Sequence, residues 1–107
     1  MKTKRFREIA EGLGWSVTID GNDIELSQYS PAGQDFSFSI RKDRNYIEQV
    51  YEYYNGYDPS EEAMLWVDDC GHGKNGAPHD LLDVLLDMKE IEKMLETLYT
   101  ALINYKQ

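Results

Sequence analysis

The sequence is poor in the residues that cross-link a chain or carry it through a membrane. Only one cysteine, Cys70, occurs among the 107 residues, so no internal disulfide can form. A lone thiol is more typical of a reducing compartment than of a secreted protein. The basic start, Met1 to Arg5, is not followed by the apolar segment of a signal peptide, and no apolar run approaches the ~18 residues of a membrane span. We therefore expect a cytoplasmic protein that does not contact membranes.

Positive charge is scarce in the second half of the chain. Residues 1–44 hold seven Lys or Arg and seven Asp or Glu, whereas residues 45–105 hold three lysines and thirteen Asp or Glu. Because phosphates repel such a surface, we expect no direct binding of nucleic acid there. The expected partner is instead a basic protein surface. The alternative is that the acidic residues, which give a net charge of −9, only keep the protein soluble.

The hydrophobic content is sufficient for one folded domain, residues 1–107. Hydrophobic residues make up 41% of the chain, and a domain of this length buries roughly 65% of its unfolded surface. The first apolar pattern has helical spacing between Thr3 and Leu13 and ends at Gly12 and Gly14. This segment is predicted to be a short amphipathic helix. Its apolar face comprises Phe6, Ile9, Ala10 and Leu13.

Three segments with alternating apolar and polar residues follow this helix. They are 15–20, 24–27 and 36–40, and the turn residues Gly21-Asn22 and Ser30-Pro31-Ala32-Gly33 separate them. Alternation with a period of two, interrupted by turn residues, indicates an antiparallel meander. One face of this sheet is apolar and must be covered, whereas the other is rich in Ser and Thr.

The remainder of the chain has helical spacing. Asp43 is the predicted cap of a helix that Asn55-Gly56 ends in a left-handed conformation, and Asp58-Pro59-Ser60-Glu61 is a typical helix start. The last helical region runs from Pro78 to about Tyr105, as one helix or as two broken at Asp87. The predicted fold is α+β, with an N-terminal helix, a three-stranded antiparallel meander, and three or four helices packed on one sheet face.

The segment between these last helices offers little chemistry. Gly71 and Gly76 have the spacing of a phosphate-binding loop, but Ala77 and Pro78 stand where Lys and Ser or Thr are needed. The nearby acids, Cys70 and two histidines match no common zinc pattern. A small enzyme with a Cys/His pair in residues 68–79 remains an alternative. We expect no catalysis, no metal and no cofactor. The metal candidates considered are Asp68, Asp69, Cys70, His72 and His79.

The most ordered polar feature is a row of acids in the last helical region. Asp80, Asp83, Asp87 and Glu90 are spaced by 3, 4 and 3 residues. On one continuous helix they would lie along a single face about one turn, ~5 Å, apart. Stacked like charges destabilise a helix slightly, so a sequence that keeps them suggests a function for the row. The alternative is a solvated face whose first acids stabilise the helix N-terminus.

Tyrosines add a second candidate surface. Tyr53 and Tyr57 fall outside the apolar stripe of their helix and stand among acidic residues, as is typical of binding surfaces. Isolated exposed tyrosines are also common on surfaces without function. With the acidic row, the candidate partner-binding residues comprise Tyr53, Tyr57, Glu61, Glu62, Asp68, Asp69, Asp80, Asp83, Asp87 and Glu90.

Three stretches, residues 28–36, 57–62 and 76–78, resemble small proteins of gut bacterial phages and conjugative elements. The resemblance implies a mobile-element context, in which small acidic proteins often block host defences such as restriction or CRISPR nucleases. Spaced carboxylates can imitate the phosphates of B-DNA, which follow one another every ~3.4 Å along each strand. The expected function is therefore non-catalytic inhibition of a host nucleic-acid-binding defence protein. The alternative is a generic interaction module or homodimeric accessory protein that uses the polar sheet face or an edge strand.

Overall fold

A computed structural model describes the backbone of residues 1–70 and 81–106 and the side chains of residues 1–65 and 82–105. Helix α1 precedes a three-stranded sheet, and three helices follow it, which confirms the predicted α+β fold. The last helical region is one continuous helix from Leu81, and the predicted start at Pro78 lies outside the described residues. The elements are α1 Thr3–Gly12, β1 Ser16–Asp20, β2 Asp23–Tyr29, β3 Asp35–Arg41, α2 Tyr46–Gly56, α3 Pro59–Cys70 and α4 Leu81–Lys106.

The sheet is an antiparallel meander with strand order β1-β2-β3. The β1–β2 turn consists of Gly21 and Asn22, and Gly21 has a φ of +59°, which a residue with a side chain rarely adopts. The register places Val17 opposite Leu26, and Leu26 in turn opposite Phe38. Because side chains alternate across a strand, this register gathers the apolar residues of all three strands on one face.

Helices cover the apolar face of the sheet. Leu95, Leu98 and Leu102 of α4 are fully buried, and full burial of each side chain contributes roughly 2 kcal/mol. The opposite face has no described helix over it and carries exposed Ser, Thr and charged residues. The buried residues of this main core are Phe6, Ala10, Trp15, Val17, Ile24, Leu26, Phe38, Ile40, Tyr46, Val50, Leu95, Leu98 and Leu102.

A smaller core cluster lies between α3 and α4. Ala63 of α3 packs with Val84, Met88 and Ile91 of α4. Phe36, Tyr57 and Met94 contact both clusters and join them. Helix α4 therefore packs against the sheet through its second half and against α3 through its first half.

Two predicted helix ends are wrong. Asn45, not Asp43, caps α2, since its Oδ1 accepts a hydrogen bond from the Glu48 N–H at 3.0 Å while Asp43 pairs with Arg41 at 3.3 Å. Gly56 is not left-handed, and Tyr57 leaves α2 in extended backbone (φ −80°, ψ 118°). An extended exit fits the short connection, because only two residues separate α2 from α3. The predicted cap of α3 is confirmed, with Asp58 Oδ1 accepting from the Ser60 N–H at 3.0 Å.

Within residues 1–70 and 81–106, no helix combines the length and the apolar character needed to cross a bilayer.

We expect Asn45→Ala to lower the free energy of unfolding by about 1 kcal/mol, because it leaves an N–H at the first turn of α2 without a partner. Asp43→Ala, which removes the exposed contacts of this side chain with Arg41 and Asn22, should cost less than about 0.5 kcal/mol. Urea denaturation followed by circular dichroism measures both. Equal losses for the two variants would contradict the assignment of the cap.

Candidate functional site

Asp87 of α4 does not belong to an exposed surface. Its side chain is 5% exposed and accepts hydrogen bonds from Ser30 Oγ at 2.5 Å, from the Ala32 N–H at 3.1 Å and from Gln34 Nε2 at 2.7 Å. All three donors lie in or beside the turn that joins β2 to β3. Three donors satisfy most of the acceptor capacity of a buried carboxylate, so Asp87 binds the chain itself rather than a partner.

The predicted acidic row is therefore not a continuous exposed stripe. Because α4 is continuous, Asp83, Asp87 and Glu90 lie on one side of it, as expected. The β2–β3 turn, however, covers Asp87. Glu90 pairs with Lys93 at 3.5 Å, and Lys89 and Lys93 line the same shallow depression as Asp83. Asp83 is exposed, and Asp80 lies outside the described residues. The lysines and the covering turn leave this side of α4 less negative than its sequence indicates.

Tyr57 is not an exposed aromatic. Its ring lies edge-on to Phe36 at 5.9 Å between centroids, and its hydroxyl donates to Met88 Sδ at 3.2 Å. Burial raises the pKa of Tyr57 far above its ordinary value, and the nearby charges of Glu62, Asp87 and Glu92 raise it further. Tyr57 is thus a bridge between the two core clusters, with a half-buried ring among carboxylates.

The other candidates of α2 and α3 are placed largely as expected. Tyr53 is 43% exposed and packs against Phe38 at 4.7 Å between centroids. Glu61 and Glu62 are exposed in the first turn of α3, where carboxylates also favour the helix N-terminus. The side chains of Asp68 and Asp69, near the end of the same helix, lie outside the described residues.

Carboxylates from two helices surround the tyrosines at the junction of α2, α3 and α4. The Tyr54 hydroxyl donates to Glu96 at 2.8 Å, and this hydrogen bond raises the pKa of Tyr54, with a further contribution from the charge of Glu92. The charge of Glu92 raises the pKa of both tyrosine hydroxyls, and the charge of Glu62 raises that of Tyr57. Within the described residues, the carboxylates whose charges raise the pKa values of these two hydroxyls are those of Glu62, Asp87, Glu92 and Glu96. We call Tyr54, Tyr57, Glu62, Glu92 and Glu96 the acid–tyrosine face.

Sequence reasoning missed Glu92 and Glu96. They lie on the flank of the apolar stripe of α4 opposite to Asp87, one turn apart, facing the helix pair α2–α3. The sequence did contain a signal for their position. Glu92 follows the apolar Met88 by four residues and Glu96 follows Glu92 by four, so the two acids lie on one side of the helix, next to its apolar residues. The regular spacing of Asp80, Asp83, Asp87 and Glu90 was more conspicuous, although the fold covers part of it.

The described residues offer little for catalysis or metal binding. In residues 1–65 and 82–105, no three side chains among His, Cys, Asp and Glu converge as metal ligands would. The segment with the spacing of a phosphate-binding loop, together with His72 and His79, lies outside the described residues, as does the side chain of Cys70. The acid–tyrosine face has the chemistry of a binding surface, with hydrogen-bond acceptors, negative charge and aromatic area.

Comparison of the chain with models of known protein families, with curated proteins and with solved structures finds no match.

We expect Asp87→Asn to lower the free energy of unfolding by about 1–3 kcal/mol, because its amide group would face donors rather than acceptors. Asp83→Asn, an exposed change on the same side of α4, should alter it by less than about 0.5 kcal/mol. Chemical denaturation of both variants decides between a structural and a surface role for Asp87. A loss no larger than that of Asp83→Asn would place Asp87 on the surface.

The raised pKa of Tyr57 predicts a loss of stability in alkali. Since the unfolded chain ionises this tyrosine near its ordinary value of about 10, the stabilising contribution is complete below that pH. It is lost as the pH rises through the higher pKa of the folded state. Stability curves measured by denaturation above pH 10 should fall less steeply for Tyr57→Phe than for the unaltered protein. The same slope in both would mean that the hydroxyl is not shielded.

Proposed function

We propose that this protein is a non-catalytic acidic binding protein that occupies a basic surface of a partner protein through its acid–tyrosine face. The observation that carries the proposal is the convergence of Glu62, Glu92 and Glu96 from two helices around Tyr54 of α2 and Tyr57, which directly follows α2. Carboxylates fixed on packed helices are pre-organised, so fewer side chains must be ordered when the partner binds.

The partner class that we propose is a nucleic-acid-binding defence protein of a bacterial host, such as a restriction or CRISPR nuclease. Such proteins present basic grooves that hold phosphates, and clustered carboxylates carry the same charge as phosphates. The resemblance of residues 28–36 and 57–62 to proteins of phages and conjugative elements supports the same class. Inhibition of this kind would take place in the cytoplasm and needs no reacting group.

Steering by charge gives the proposal a measurable signature. The chain carries a net charge of −9, and attraction between opposite charges raises association rates and weakens as salt screens it. Binding through the acid–tyrosine face should therefore depend on ionic strength and on the identity of the acids removed, rather than on total charge alone.

The test is inhibition of DNA cleavage by a panel of purified restriction and CRISPR nucleases, titrated with the protein at increasing salt. We expect inhibition of at least one nuclease that weakens as salt rises. The paired change Glu62→Gln and Glu96→Gln should weaken it about tenfold, since each lost interfacial charge contact is worth roughly 0.5–1 kcal/mol.

A matched control removes the same number of negative charges, two, from the opposite side of the sheet. Asp20→Asn with Glu25→Gln changes two exposed acids of β1 and β2 and should leave inhibition within about twofold of the unaltered protein. Equal weakening by both pairs would mean that only net charge matters. Absence of inhibition across the panel would overturn the proposed partner class.

A further inference from the structure

The outer edge of β3 is closed at one end by a side chain. The amide of Gln49 in α2 donates from Nε2 to the Arg41 carbonyl at 2.9 Å, and its Oε1 accepts from the Arg41 N–H at 2.8 Å. These two bonds imitate those of a neighbouring strand. They also show that the backbone groups of Arg41 point away from β2.

The same edge is open further along β3. Backbone groups alternate in direction along an antiparallel strand, so those of Ser39 and Ser37 point outward as those of Arg41 do. Within the described residues, no backbone or side-chain group bonds to the outward N–H or carbonyl of these two serines. Two donors and two acceptors in a row form a template for an added strand.

A groove runs beside this open edge. Its volume is about 380 Å³, and Ser39 and Ile40 of β3 line it together with Tyr53 and Tyr57. Glu52 and Glu62 bring two carboxylates into the lining, while Arg44 brings one basic side chain. The groove thus places aromatic rings and an excess of negative charge directly beside the open strand edge.

We propose that the edge of β3 receives an extended basic segment of the partner protein as a fourth strand, paired at Ser37 and Ser39. Alternate Lys or Arg side chains of that segment would enter the groove toward Glu52 and Glu62, with their alkyl stems against Tyr53. Main-chain hydrogen bonds supply affinity in this mode of recognition, and the groove supplies selectivity. The inference rests on the proposed function and names the element of the partner that docks.

A second copy of this chain fits the same edge poorly. Antiparallel pairing of β3 with its own copy would bring both α2 helices onto the same face of the joined sheet. Glu52 and Glu62 of each copy would then approach those of the other, and like charges at an interface are costly. Charge complementarity therefore favours a basic segment. Gln49 limits the length of the added strand, because its amide already bonds the N–H and the carbonyl of Arg41.

The test is selection of peptides about nine residues long from a random phage-displayed library on the immobilised protein. We expect an alternating pattern with Lys or Arg at every second position. Affinity of the selected peptides should fall about tenfold with Ser39→Pro, which removes an outward N–H and leaves the ladder to β2 intact. Ser39→Ala, the matched control, keeps that N–H and should change affinity by less than about twofold.

Two further measurements keep the test decisive should Ser39→Pro disturb the fold. Glu52→Arg leaves the backbone unchanged and should remove the preference for basic residues. In the unaltered protein, the amides of Ser37 and Ser39 should become protected from hydrogen exchange when a selected peptide binds.

Several outcomes would overturn the inference. These are failure to enrich any peptide, a consensus without basic residues, equal affinity for Ser39→Pro and Ser39→Ala, or a dimer in light scattering that Ser39→Pro dissociates. The two proposals fail separately. Peptides that ignore Ser39→Pro but still weaken with Glu62→Gln and Glu96→Gln would overturn the strand pairing and support the acid–tyrosine face.

Discussion

The carboxylate of Asp87 is the interaction on which the placement of the helices depends. A buried charge is tolerated only when hydrogen bonds replace the water that it has lost, and here the turn between β2 and β3 provides three donors. This arrangement ties the first half of α4 to the sheet at one defined position. It also favours one rotation of α4 about its axis, because a different rotation would move Asp87 away from these three donors.

The rotation of α4 then decides which acids are available. With Asp87 turned to the β2–β3 turn, the apolar stripe that includes Leu95 faces the sheet, and the opposite flank faces α2 and α3. Glu92 and Glu96 lie on that flank, so they approach Tyr54 of α2 and Tyr57 rather than bulk solvent alone. One flank of a single helix thus serves the fold, whereas the other carries the proposed binding surface.

Most of the fold could be predicted from the sequence because its signals are local. Alternation marked the strands, and Asp58-Pro59 marked the start of α3. In α4, apolar residues recur every three or four positions, and those that are buried in the structure are Val84, Met88, Ile91, Leu95, Leu98 and Leu102. The candidate site was less accessible, since it depends on contacts between distant segments. Nothing near Asp87 in sequence shows that Ser30 will reach it across 57 positions. Its place three residues after Val84 and four before Ile91 was a hint of burial, but periodicity alone cannot supply the partner.

The order in which the chain is synthesised gives the long final helix a further consequence. The sheet is complete once β3 has been made, yet Leu95, Leu98 and Leu102, which cover its apolar face, belong to the last described element. During translation, Val17, Ile24 and Leu26 therefore lack the cover that α4 provides until that helix has been synthesised. Such exposed apolar surface is a common starting point for aggregation and for chaperone binding. The apolar face of the sheet is therefore covered only after α4 has been synthesised, which makes this step of folding a late one.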